Sequence, residues 1–192
     1  MHIAANILEL ATTAPEGTVL TAKSLLHFGS RAAVDQALSR LARTGALLRI
    51  GRGVYVAPVR SRFGTYAPSP PLVMTALSAV TGETIVPGMG SAANVLGFTT
   101  QNPVRYVYLT SGRGRRLQVG GHEVELQHAP AWLLGGVAAR ALASFGPLAV
   151  RSAARQLRPT LPTAERERLL RERSLQPTWL AEAVSEVFAV DA

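Results

Sequence analysis

Between Thr18 and Pro58 the chain reads TVLTAKSLLHFGSRAAVDQALSRLARTGALLRIGRGVYVAP. The spacing of its apolar residues leaves few ways to fold. Val34, Ala37, Leu38 and Leu41 recur at i, i+3, i+4 and i+7, so they form one stripe on a helix. Ser30 is a capping residue at its start, and Gly45 a terminator just past its end. Before it, a shorter helix capped by Thr21 ends at Gly29, whose freedom suits a tight helix-helix turn. After it, Ala46–Ile50 and Val54–Ala57 are short apolar runs joined by Gly51-Arg52-Gly53, which predicts a hairpin. His2–Thr13 is predicted as a helix packing against these two, broken by Ala14-Pro15-Glu16-Gly17. Three helices followed by a two-stranded hairpin is the order of a winged helix-turn-helix.

A wheel at the standard pitch places Ala32, Gln36, Ser39, Arg40 and Arg43 opposite the apolar stripe. The outward face is therefore small, polar and basic. Gln can pair bidentately with adenine, small side chains allow close approach, and Arg can pair with guanine or phosphate. The candidate DNA-binding residues are Lys23, Ser30, Arg31, Ala32, Gln36, Ser39, Arg40 and Arg43, with Arg49 and Arg52 on the hairpin.

The charge distribution agrees. The 192-residue chain carries 20 basic and 12 acidic side chains, a formal net charge of +8. Residues 1–62 hold eight basic and three acidic residues, a surplus of five. A cationic surplus favours a polyanionic partner. Nineteen of the 20 basic residues are Arg, a bias that a GC-rich genome also produces.

Several function classes are disfavoured. There is no Cys, which excludes disulfide scaffolds, Cys-type zinc sites and Cys nucleophiles. His2, His27, His122 and His128 are too scattered for a metal site. Glu83, Glu123 and Glu125 do not make a metal-nuclease cluster. No G-x-S-x-G elbow is present, and Gly88-Met89-Gly90 lacks the rest of a phosphate loop. The expectation is a protein that is not an enzyme and needs no metal or cofactor. The N-terminus lacks a signal-peptide pattern, and Ala129–Ala139 and Ala141–Val150, split by Arg140, are too short to span a membrane. A cytoplasmic protein without a membrane partner is expected.

Pro58–Pro71 is rich in Pro, Ser and Gly and reads as a linker or arm carrying Arg60 and Arg62. The remainder is predicted as α+β. Its elements are a helix over Leu72–Thr81, a strand over Glu83–Pro87, and a helix over Ser91–Leu96 capped by Ser91. A strand over Val104–Thr110 and a meander of Leu117–Val119 and Glu123–Gln127 follow. Helices over Gly135–Phe145, Leu148–Leu157, Thr163–Arg173 and Thr178–Phe188 complete it. The expected organisation is a winged helix-turn-helix over 1–58, a linker over 59–71, and an α+β domain over 72–192 with a small, mostly antiparallel sheet and a helical tail. Gly112-Arg113-Gly114-Arg115-Arg116 is the densest basic cluster. It reads either as a solvated hairpin turn or as an anion-binding loop in which Arg113, Arg115 and Arg116 contact nucleic acid or a protein partner. The alternating charges of Glu165–Arg173 read as a solvated helix face. Trp132, Trp179 and Phe188 read as core anchors.

Three phrases carry a family resemblance: LARTGALLRIGRGVYVAP (Leu41–Pro58), IVPGMGSAANVLGFTTQNP (Ile85–Pro103) and YVYLTSGRGRRLQVGGHEVELQHAP (Tyr106–Pro130). The chain resembles the AbiEi-type antitoxins of type IV toxin–antitoxin systems, in their short DUF6088-like group. The resemblance implies an autorepressor whose N-terminal domain binds inverted repeats in its own promoter. It also implies a C-terminal domain that counters a nucleotidyltransferase toxin, directly or indirectly. The alternative is a stand-alone winged-helix regulator whose C-terminal domain senses a ligand or forms a dimer.

Overall fold

A computed structural model of the protein describes residues 3–100 and 105–189. His2 and Val104, expected in a helix and a strand, lie outside the described residues. In chain order the elements are α1 (Ile3–Thr13), β1 (Val19–Thr21), a 3-10 helix (Lys23–Phe28), α2 (Arg31–Arg43), β2 (Leu48–Gly51) and β3 (Val54–Val56). Next come β4 (Val59–Ser61), β5 (Gly64–Tyr66), α3 (Pro70–Thr81), β6 (Ile85–Pro87), α4 (Met89–Val95), β7 (Tyr106–Thr110), β8 (Arg115–Val119) and β9 (His122–His128). The tail is α5 (Ala131–Leu134), α6 (Val137–Ala143), α7 (Gly146–Leu157), α8 (Thr163–Arg171), a 3-10 turn (Arg173–Leu175) and α9 (Thr178–Phe188). The protein is α+β. Two compact units divide it, Met1–Ile85 with Gly114–Leu126, and Val86–Arg113 with Gln127–Ala192. The expected boundaries at 58 and 72 both lie within the first unit.

In the first unit, α1, the 3-10 helix and α2 enclose a core of Ile7, Ala11, Leu20, Leu25, Val34, Leu38, Leu47 and Tyr55. The stripe residues of α2 are all buried. The segment before Gly29 is a 3-10 helix rather than an α-helix. Thr21 and Ser24 clasp each other, Ser24 N–H donating to Thr21 Oγ1 at 3.2 Å and Thr21 N–H to Ser24 Oγ at 3.1 Å. Only six residues then remain before the chain turns at Gly29, and short connecting pieces of this kind commonly take the tighter 3-10 form.

β1 is an element that the sequence does not announce, since three residues carry no periodicity. It pairs antiparallel with β3, Val19 opposite Val56 and Thr21 opposite Val54. β3 in turn pairs with β2 across an irregularity between Arg49 and Gly51. The hairpin is therefore the outer two-thirds of a three-stranded sheet in the order β1-β3-β2. Residues 59–71, expected as a linker or arm, fold into the β4–β5 hairpin and the first turn of α3. The β8–β9 hairpin as far as Leu126 also belongs to this unit, with Leu117 opposite Val124. Leu117 Cδ2 comes so close to Gly51 that a Cβ there would sit 2.6 Å from it.

In the second unit, helices α6 to α9 close on Leu142, Val150, Leu157, Leu169, Leu180, Val184 and Phe188. Trp132 and Trp179 pack against that cluster half-buried. Several element limits differ from expectation. α4 starts at Met89 behind Gly88, so Ser91 lies inside it and does not cap it. The expected helix over Gly135–Phe145 is α6, which runs only from Val137 to Ala143, and the short α5 ahead of Gly135 is not among the expected elements. The strand at Leu117 begins two residues earlier, at Arg115.

The charges of α8 are less solvated than their alternation suggests. Glu165 accepts from Ala138 N–H at the start of α6, and Arg166 donates to Phe188 O at the end of α9. Arg140 is 6% exposed. Its Nη1 donates to the carbonyls of Leu133, Leu134 and Gly135, which end α5. Burial pulls its pKa below the usual arginine value, against the raising influence of Glu165. Among the described residues no helix is long and apolar enough to cross a membrane.

Candidate nucleic-acid interface

Helix α2 begins where Ser30 Oγ accepts from Ala33 N–H at 3.4 Å. It ends as Thr44 hands over to Gly45, which holds a left-handed φ of 74°. The ends set its length, and the apolar stripe sets its rotation on the core. With Val34, Ala37, Leu38 and Leu41 turned inward, the opposite side must face out. Ser30, Arg31, Ala32, Gln36, Ser39, Arg40 and Arg43 are all exposed, as is Lys23 on the preceding 3-10 helix.

The polar face of α2 runs on into the sheet. Asp35, Gln36, Ser39, Arg40 and Arg43 line one shallow concavity. Ser39 and Arg43 also line the next, with Ala42, Arg49 and Tyr55. Arg49 is exposed on β2 and its Nε donates to Gly51 O at 3.3 Å, which holds it along the strand. Arg52 is exposed at the hairpin tip beside Gly53, which takes φ 71°. The structure thus brings Gln36, Ser39, Arg40, Arg43 and Arg49 onto one continuous surface.

Arg31 differs from the others. Its Nε lies 2.9 Å from Asp35 Oδ2 one helical turn on. Exposed pairs of this kind contribute roughly 0.3–0.5 kcal/mol, so the pair costs little to break.

The second basic cluster does not form one loop. Arg115 and Arg116 lie on β8 in the first unit, while Arg113 lies in the second. Arg115 is half-buried and bound to Glu83, with Nη2 2.8 Å from Oε2. Arg116 Nε stands 4.0 Å from Glu123 Oε1. Arg113 is exposed. His122 and His128, at the two ends of β9, fall in different units. His128 Nδ1 lies 2.8 Å from Gly112 O. Among the described residues no group of three His, Asp or Glu side chains is placed to hold a metal ion.

Two arginines expected on a linker or arm share this unit. Arg60 and Arg62 are exposed on and beside the β4–β5 hairpin, with Phe63 at its tip. In the sequence this stretch is rich in Pro, Ser and Gly and carries two arginines; what hides the hairpin is a turn built on Arg62-Phe63 instead of a common turn pair.

Residues 6–141 match DUF6088, a family of unknown function, and the chain belongs to that family. No curated protein matches the chain. In overall fold it is similar to the crystal structure of the protein Rv2827c from Mycobacterium tuberculosis, with a TM-score of 0.52 and 17% sequence identity. That likeness covers 97% of this chain and 76% of the other.

Proposed function

We propose that the protein is a DNA-binding autorepressor and antitoxin, and that its N-terminal elements work as a winged helix-turn-helix. In this reading α2 enters the major groove, and Gln36, Ser39 and Arg40 meet base edges. Arg31, Arg43, Arg49, Arg52 and Lys23 meet phosphates. The protein acts in the cytoplasm on duplex DNA carrying inverted repeats in its own promoter. It counters a nucleotidyltransferase toxin encoded beside it, and its own activity requires no catalysis or cofactor.

The observation that carries the reading is the continuous exposed face from Gln36 to Arg49, opposite a fully buried stripe. Sequence charge supports it. Asp35 is the single acid between Glu16 and Glu83, and residues 36–82 hold six arginines with no acid. Such a segment is matched to a polyanion, and contacts to phosphate make affinity fall with salt.

The test is retardation of the DNA upstream of the protein's own coding sequence, measured over a range of salt. The Arg40→Ala/Arg43→Ala variant is expected to bind more weakly. Its log–log salt slope should be shallower by about one unit for each lost phosphate contact. Unaltered binding by that variant excludes α2 as the contact. Co-expression with the neighbouring gene tests the antitoxin half: growth rescue supports it, and duplex binding without rescue leaves a stand-alone regulator.

A further inference from the structure

We propose that the β4–β5 hairpin is a second DNA-contacting element, a basic arm whose tip inserts Phe63 between base pairs from the minor groove. The inference rests on the duplex-binding reading and adds to it a distinct contact outside α2 and the β2–β3 hairpin.

Phe63 is 84% exposed, the most exposed aromatic ring among the described residues. A phenyl ring held in water contributes nothing to a core, and folding alone gives no reason to keep it there. Yet its position is determined. Val59 pairs with Tyr66 and Ser61 with Gly64, which closes the strands around Arg62 and Phe63. Ser61 Oγ accepts from Phe63 N–H at 3.1 Å and reaches Gly64 O at 3.4 Å. The Arg62 guanidinium lies 4.6 Å from the centre of the Phe63 ring. The tip thus presents an aromatic face and a cation together on a turn that is already ordered.

Charge decides the partner. Arg60 is exposed on β4, Arg62 is exposed at the tip, and the hairpin lies inside the acid-free stretch 36–82. An apolar protein groove asks for no such excess of arginine. A single-strand platform stacks successive bases on several rings along a groove. Here one ring stands at a tip, and Tyr66 sits at the far end of the hairpin, opposite Val59. An apolar wedge flanked by arginine is the device that unstacks a base step from the minor groove. Unstacking costs a few kcal/mol per step, which contacts from Arg60 and Arg62 offset.

The test uses the full chain and a duplex selected from a randomised pool by the wild-type protein, with 2-aminopurine placed at successive positions. Wild type should raise the emission at one or two adjacent steps. Phe63→Ala should abolish the rise and weaken binding about tenfold or more, as loss of a base–aromatic contact does. Phe63→Leu should keep the rise, because Leu also serves as a wedge. Phe63 is 84% exposed, so each variant should fold as wild type does. Emission and affinity unchanged in Phe63→Ala overturn the proposal while leaving the α2 interface standing. Loss of binding by Phe63→Ala only to a single-stranded oligonucleotide overturns it in favour of a stacking platform. Failure of the wild type to select any duplex removes the duplex-binding reading itself. The Arg40→Ala/Arg43→Ala variant separates the two contacts, since at saturating protein it should still raise the emission.

Discussion

Arg115 reaches back 32 residues to Glu83 and holds it with both terminal nitrogens, Nη2 at 2.8 Å from Oε2 and Nη1 at 3.2 Å from Oε1. The pair ties the start of β8 to the chain just beyond the left-handed Gly82 that closes α3. Both side chains are about three-quarters covered, so the pair is screened less than a surface one. Arg115→Ala leaves a partly desolvated carboxylate and should cost about 1–3 kcal/mol in a urea titration. Arg115→Lys keeps the charge but not the planar fork and should recover only part of the loss. Duplex affinity should not change in either variant. A marked fall in affinity with an unchanged unfolding midpoint would return Arg115 to the binding surface.

Two glycines with similar backbone angles should respond differently to the same change. Gly17 takes φ 83° and Gly45 φ 74°. A Cβ on Gly45 meets open space, whereas one on Gly17 lies 2.9 Å from Leu72 Cβ and 3.2 Å from the Leu72 carbonyl carbon. Gly45→Ala should therefore cost only the left-handed penalty, about 1–2 kcal/mol. Gly17→Ala adds a clash with the first turn of α3 and should cost about 3 kcal/mol or more. Equal unfolding midpoints for the two variants would show that α3 does not press on Gly17.

The carboxyl of Glu186 is held below the usual range, first by its hydrogen bond from Arg151 at 2.9 Å and then by that from Arg155 at 2.6 Å. A depressed folded-state value makes the contribution present above the ordinary glutamate range. It is lost as the pH falls through the lowered value. Because the trio is exposed, its effect on stability should be small and should shrink with salt. An NMR titration should place the Glu186 midpoint below that of an unpaired glutamate, and Arg151→Ala should move it upward. A midpoint indifferent to Arg151→Ala would show that the pair does not persist in solution.

The helical parts of this protein are legible where apolar spacing runs through two or more turns. The stripe of α2 fixes its rotation, and the burial of Val34, Ala37, Leu38 and Leu41 follows from it. The cap at Ser30 and the terminator at Gly45 mark the ends of α2 to within a residue or two. The short elements are not legible. β1 and the β4–β5 hairpin are three-residue strands, made by pairing rather than by any local pattern. Arg140 reads as a charge that interrupts an apolar run, but three carbonyls at the end of α5 let it be buried. Arg113, Arg115 and Arg116 read as one loop because they are adjacent in sequence. A strand starting at Arg115, and a glutamate 32 residues away, separate their environments.

Gln36 and Arg43 lie on the same exposed face and line the same concavity, yet they should affect duplex binding in different ways. An amide can recognise an adenine through paired hydrogen bonds and carries no charge. Gln36→Ala should therefore lower affinity for a selected duplex and relax preference at one base pair, at a cost of about 1–3 kcal/mol. It should leave the salt slope unchanged, because no counterion is exchanged. Arg43 sits in the last turn of α2, where the surface passes to Arg49 on β2, a place suited to phosphate. Arg43→Ala should weaken binding to all duplexes alike and reduce the slope by about one unit. Selection from a randomised pool with each variant, followed by titration at several salt concentrations, measures both quantities. A Gln36→Ala variant with wild-type sequence preference would mean that the middle of α2 does not reach the bases.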